Sequence, residues 1–377
     1  MQQTLKLDPQ QPVPAAVGAG APGRFWAAFA GLIVTLTLLV IGFLFLRGDF
    51  NAQGNPPPQW ITAIFAIIWG VGGVGALFTV LNTLVEALPE VWRARIQPYI
   101  FVGPAIIFLS LFLLVPTVLT IYQSFFDASS TNFVGLSNYG AIVTDPGMLE
   151  SFRNNVIWLF LGTAACVVFG LLIAVLADRS RFETIAKALI FMPMAISFVG
   201  AGVIWRFIYA YTPPDQPQIG VLNAVVVALG GQPQTWLATG PWNTLFLILV
   251  LIWMQTGFAM VLFSAALKGV PGDLLEAARL DGANEIQTFF RIIIPYIQGT
   301  IITTTTTIAI FTLKIFDIVI VMTGGQFGTQ VVATQFYRQF FSSRNFGYGS
   351  AIAIVLFIAV IPVMIYNLLQ LRKQEGF

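Results

Sequence analysis

Apolar residues come in long runs along this chain, and charged residues mark the breaks between them. A helix that crosses a bilayer needs about 20 consecutive apolar residues. Charge-free stretches of that kind are Phe25–Leu46, Trp60–Val85, Tyr99–Tyr122, Val156–Ala177, Ala188–Trp205, Trp242–Ser264, the run from Arg291 to Lys314, and Gly349–Leu369. The pattern predicts an all-α, polytopic membrane bundle of about eight transmembrane helices. The segment Ile219–Leu229 is apolar but too short to cross, and reads as an interfacial or surface helix. The first run is longer than a signal-peptide core and has no obvious small-residue cleavage site after it, so it reads as a helix. The second is rich in glycine (Gly70, Gly72, Gly73, Gly75), which suits close helix packing in lipid.

The segments between the runs are mostly short. Residues 1–24 carry Pro9, Pro12, Pro14 and Pro22 without an apolar period and read as a disordered tail. Asn55-Pro56-Pro57-Pro58 reads as a rigid turn, and Tyr211-Thr212-Pro213-Pro214 opens the longest loop on the same side. With the N-terminus inside, Arg47, Arg153, Arg206, Lys314, Arg338 and Arg344 fall outside, and the other twelve Lys and Arg fall inside. Basic residues concentrate in cytoplasmic loops, so both termini are expected in the cytoplasm.

Composition sharpens this reading by exclusion. Hydrophobic residues make up 57% of the 377 and charged residues only 9%, against about 25% charged in a soluble domain; mean hydropathy is +0.84. A soluble enzyme and a disordered chain are excluded, and a net charge of +2 is no nucleic-acid signature. With no histidine, His-based triads and His–metal sites are absent. The single cysteine, Cys166, lies between Ala165 and Val167 and reads as a buried, inert thiol. No GxxxxGK[ST] loop is present, so this chain does not hydrolyse ATP by P-loop chemistry.

One polar loop carries more information than a linker needs. In Lys268–Pro295, Pro271 followed by Asp273 marks a helix start, and Leu274–Leu280 is good helix former. Gly282 breaks it, and a second helix is expected from about Asn284. Two readings fit: a docking knob for another protein, or a connector lying on the membrane surface.

Glu276-Ala277-Ala278, then Asp281-Gly282-Ala283, then Ile292-Ile293-Ile294-Pro295 resemble the EAA loop of ABC-importer permeases, with Ile294 in place of the usual Leu. Trp253, Phe316-Asp317-Ile318-Val319, Thr323-Gly324-Gly325 and Phe346-Gly347-Tyr348-Gly349-Ser350-Ala351 look like sugar-importer permeases of the maltose type. The resemblance covers roughly residues 95–377 and implies a type I importer permease fold there, with two additional helices in 25–94 before it. The large outer domain that the longer maltose-type permease holds after its third span is absent. The resemblance also implies a permease subunit of a bacterial inner-membrane importer, not an enzyme. It would move a sugar or glucoside and pair with a second permease. Two ATP-binding-cassette ATPase subunits would use ATP and Mg, none of it bound by this chain, and an extracytoplasmic solute-binding protein would deliver the solute. Its coupling role falls on Glu276, with Ala277, Ala278, Asp281 and Gly282 as shape-defining neighbours.

Polar groups inside spans are costly and read as functional candidates. Lys314 and Asp317, three apart, are expected on one face of the seventh span, either neutralising each other or lining the solute path. Gln255 and Thr256, between Trp253 and Phe258, suit a sugar's hydroxyls and ring faces, or Gln255 bonds between helices. In the family's pore stretches Phe311 is an identity; Thr312 stands at an amide position and Phe258 at a Tyr. Thr303–Thr307 are expected to bond back to their own helix. Alternatives to a sugar importer are an ABC permease for a polyol or other small solute, and a self-contained secondary transporter.

Overall fold

The computed structural model describes residues 22–47 and 58–374. Of the tail 1–24, residues 1–21 lie outside the described residues, whereas Pro22–Arg24 are helical and not part of a tail; of the proline turn, Asn55–Pro57 lie outside the described residues. The chain divides into two compact units at Thr117/Val118.

In the first unit, α1 (Pro22–Arg47) packs along α2 (Gln59–Glu86). Phe45 and Phe65 meet edge to face, with ring centroids 4.9 Å apart. Of the four glycines of α2, only Gly73 sits at a close contact, where a Cβ would overlap the Leu39 side chain. Gly70, Gly72 and Gly75 face open space, so the glycine content reflects one packing contact and not four. α3 (Glu90–Leu109) passes through a π turn, Ser110–Leu114, into α4 (Val115–Gln123).

The second unit begins at Val118, within α4, and continues with α5 (Ser137–Thr144). α6 (Pro146–Ile157), a π turn at Trp158–Gly162 and α7 (Thr163–Asp178) form one helical run. It starts ten residues before the apolar stretch does. Asp145 caps it, accepting from the Gly147 and Met148 amides at 2.6 and 3.1 Å, and Pro146 occupies the first turn, where no amide is needed.

The expected fifth span, Ala188–Trp205, is not one helix. α8 (Glu183–Phe191) ends in a 3-10 turn at Met192–Ala195, and α9 (Phe198–Ile208) leaves at 102°. Pro193 stops the first helix and Ser197 caps the second, its hydroxyl accepting from the Gly200 amide at 3.0 Å. α10 (Val221–Ala228) is the short helix expected near 219–229. α11 (Trp242–Lys268) is one unbroken helix, and α12 (Gly272–Leu280) follows it.

The seventh span also bends. α13 (Glu285–Thr288), a π turn at Phe289–Ile293 and α14 (Ile294–Tyr296) meet α15 (Gln298–Leu313) at 69°. α16 (Asp317–Met322), α17 (Val332–Tyr337) with a π turn at Arg338–Ser342, and α18 (Phe346–Gln374) complete the unit. Among the described residues six helices are long and apolar enough to cross a membrane, and the count reaches eight when each bent pair is one span.

The core forms around α11. Leu247, Leu251, Met260 and Phe263 of α11 pack with Trp158 and Ile308, all essentially inaccessible. α7 lies against α11 so closely that a Cβ at Gly170 would overlap that of Ala259. Cys166 is buried in the same cluster, as expected of a packing thiol.

Candidate functional site

The Lys268–Pro295 loop folds as two helical pieces around Gly282. α12 ends in a Schellman arrangement: the Ala283 amide donates to the Ala278 carbonyl at 2.9 Å, and Gly282 adopts a φ of +80°. Asn284 and Gln287 then form a capping box, each side chain accepting from the other's amide, at 2.8 and 3.0 Å. Tyr296 Oη donates to the Gly269 carbonyl at 3.3 Å, tying the exit of the loop to its entrance. Local signals therefore set the shape of the whole loop. Ala278 is buried and anchors α12, whereas Glu276, Ala277, Asp281 and Gly282 are exposed. Leu280 is 89% exposed and Ile286 71%. The loop thus presents a carboxylate among apolar side chains on a stiff support.

At this same end of the bundle Lys187 joins Asp178, Glu183 and Ser264, and Lys268 joins Glu183. Ser264 Oγ donates to Asp178 at 2.7 Å. These contacts tie the ends of α7, α8 and α11 together beside the loop. In the sequence these charges serve only as span boundaries.

The second group of candidates lies along α11. Gln255 and Thr256 are buried, and neither Gln255 Oε1 nor Thr256 Oγ1 has a hydrogen-bond partner. The interhelical bond open to Gln255 is thus not made by its carbonyl oxygen. Trp253 meets Trp205 of α9 edge to face, centroids 5.7 Å apart, and Phe258 is half-buried. Gly257 lies against the α8 break: a Cβ there would overlap the Ile190 carbonyl oxygen and lie 2.8 Å from Phe191 Cα. On α15, Phe311 is 47% exposed. Thr312 is buried and donates to the Ile308 carbonyl at 2.8 Å. Thr306 and Thr307 bond back along the helix in the same way, while buried Thr304 Oγ1 has no partner.

Lys314 and Asp317 do not share a helix face. α15 ends at Leu313, Lys314 is its exposed cap, Phe316 has a non-helical φ of −140°, and Asp317 begins α16. No ion pair joins them among the described residues. Asp317 instead stands in the first turn of α16, where a helix favours a carboxylate.

What holds this break is a set of asparagines that the apolar pattern does not single out. Asn155 Nδ2 donates to the Leu313 carbonyl at 3.1 Å, and its Oδ1 accepts from the Val332 amide at 2.8 Å. Asn154 Nδ2 donates to the Gly328 and Gln330 carbonyls, both at 2.8 Å, and Asn243 Nδ2 to Phe327 at 2.6 Å. Between them runs a turn with positive φ at Gly324, Gly325, Phe327 and Gly328. The signal in the sequence is an Asn pair at the mouth of an apolar run, where unpaired amides would be costly unless they served backbone groups.

Residues 166–374 match the family model for the binding-protein-dependent transport system inner membrane component. Over 275 residues the chain is 54% identical to the osmoprotective compounds uptake permease protein GgtC of Synechocystis sp., covering 73% of this chain and 99% of that protein. It is 50% identical over 282 residues to the alpha-glucoside transport system permease protein AglF of Rhizobium meliloti, covering 74% and 84%. A chain of a bacterial ABC transporter involved in the import of the acidic polysaccharide alginate shares the fold, with a TM-score of 0.64 at 20% identity over 75% of this chain and 99% of that one. The chain belongs to the binding-protein-dependent transport system inner membrane components, the multi-pass permeases of ATP-binding-cassette importers; it is a transport component and not an enzyme, and the self-contained secondary transporter is excluded.

Proposed function

We propose that this permease moves a sugar or glucoside across a bacterial inner membrane, with both termini in the cytoplasm. One observation carries the substrate class: the 50% identity, across most of both chains, to a permease named for alpha-glucoside transport. The side chains along α11 are compatible with it. A sugar needs hydrogen-bonding groups for its hydroxyls and aromatic faces for its ring. Gln255 and Thr256 offer unpartnered oxygens beside Trp253 and Phe258. Phe311, Thr312, Lys314 and Asp317 complete the proposed path.

A second permease, two ATPase subunits that use ATP and Mg, and an extracytoplasmic binding protein complete the machine in this reading, and this chain itself binds no cofactor. Energy enters through α12. Glu276 meets a basic residue of an ATPase, and the stiff helix–Gly282–helix unit passes ATPase closure to α11 and to the bend before α15. The bundle then rocks about the solute path. The relative named for osmoprotective compounds supports a second reading, in which the solute is a polyol or other small solute. The test is ATP-driven uptake by the reconstituted importer with its own binding protein. A labelled alpha-glucoside should be taken up, and a free polyol without a sugar should compete poorly. Uptake of the free polyol alone would reverse the assignment.

A further inference from the structure

The connection between α9 and α11 is ordered from within. Asn223 of α10 is fully buried, and its Nδ2 donates to the Ala210 and Gln234 carbonyls at 2.9 and 3.0 Å. Its Oδ1 accepts from the Gln234 amide at 2.8 Å and from Trp236 Nε1 at 3.0 Å. Gln218 Nε2 closes the preceding turn on the Thr212 carbonyl at 2.8 Å. The loop therefore holds α10 in a fixed orientation, and that orientation is the reverse of a water-facing helix. The one polar side chain of α10 points inward. Val221, Val225 and Leu229, spaced four apart on one face, point outward, and Leu229 is 83% exposed. Ile219 extends the stripe.

Water does not favour such a stripe, so something apolar covers it. Its setting identifies the cover. No charged residue occurs from Gln216 to Leu267, and the stripe offers no side-chain group with which a soluble partner could fix a register. The apolar surface continues onto α9, a half-span of a multi-pass membrane protein, where Val203 and Phe207 are also exposed. Beside the end of α9 the loop forms a pocket of about 640 Å³, edged by Arg206, Tyr211, Ile219 and Trp236. Tyr and Trp favour the depth of lipid headgroups, and an arginine there pairs with lipid phosphate.

We infer that α10 lies in the bilayer interface, with Ile219, Val221, Val225 and Leu229 among the acyl chains and Arg206 at the phosphate level. It anchors the α9–α11 loop to the membrane beside the half-span that carries Trp205. The inference rests on membrane-family membership and is independent of the solute.

The buried Cys166 leaves a second cysteine selectively reachable, so a bimane label on Val225→Cys of the full chain reports its depth. The parent chain serves as the labelling blank, and Gln216→Cys, on the exposed turn, as the aqueous reference. Vesicles of phosphatidylcholine and phosphatidylglycerol carry the nitroxide on the lipid chains. The expected result is loss of most of the label's emission at position 225 to the lipid nitroxide, with little loss to aqueous iodide, and the opposite at 216. Iodide quenching at 225 equal to that at 216 would overturn the anchor. Protection from both quenchers would also overturn it and would assign the stripe to a protein partner.

Discussion

Gly257 and Gly282 are both glycines beside a break in a helix, and they are needed for opposite reasons. At Gly257, midway along α11, the neighbours decide: the α8 break lies so close that a Cβ would run into the backbone of Ile190 and Phe191. At Gly282, in the α12–α13 loop, a Cβ would meet nothing within 4 Å, and the φ of +80° alone excludes ordinary side chains. The first region is made by long-range packing around a buried span; the second is built from its own caps. One is a place where the fold can be broken, the other a place where a rigid shape can be altered with the fold intact.

Gly257→Val tests the packed region and should have the largest effect. Overpacking costs about 1–3 kcal/mol where side chains can move, and here the obstacle is main chain. The variant should fail to accumulate as a folded, monodisperse membrane protein in mild detergent, and uptake should vanish with it. A well-folded Gly257→Val protein with normal uptake would show that the α8 break has room to retreat. Glu276→Lys tests the other region. Glu276 is exposed on α12, so membrane insertion and thermal melting should stay at the parent level while ATP-driven uptake is abolished by charge reversal at the proposed ATPase contact. Normal uptake would remove Glu276 from coupling.

A smaller loss is expected from Asn155→Ala. The Leu313 carbonyl and the Val332 amide would lose their partner in a buried setting, and an unsatisfied buried polar group costs about 1–3 kcal/mol. The melting temperature should fall while the chain still inserts. An unchanged melting temperature would mean that the α15–α16 break is held by packing alone.

These two regions also explain what was legible in the sequence. Eight apolar segments were legible because bilayer thickness fixes the length of a span. The helix–Gly282–helix loop was legible because Pro271, Asp273, Gly282 and Asn284 are local signals acting within a turn. The bends were not. Pro193 marks one in the sequence only as a proline within an apolar run, and the close approach of the break to Gly257 of α11 is a contact between distant segments. The separation of Lys314 from Asp317 was hidden for the same reason. Their spacing suits one helix face, but the stop at Leu313 is secured by Asn155, more than 150 residues away in sequence. A hydrogen bond from a distant side chain to a backbone carbonyl leaves no periodicity to read.

The smallest effect, and the sharpest test of the contrast, comes from paired substitutions at Gly282. Alanine at φ +80° carries the left-handed penalty of about 1–2 kcal/mol. Asparagine tolerates that region better, because its short polar side chain can bond locally. Neither side chain meets a neighbour. If conformation alone sets the requirement, Gly282→Ala should lower coupled uptake several-fold and Gly282→Asn much less, with equal insertion of both. If the two variants fail equally, the constraint is space and not φ, and the missing neighbour is supplied by a docked ATPase pressing on the loop at Gly282. At Gly257 the same pair should give no such distinction, since both side chains carry the Cβ that the Ile190 carbonyl excludes.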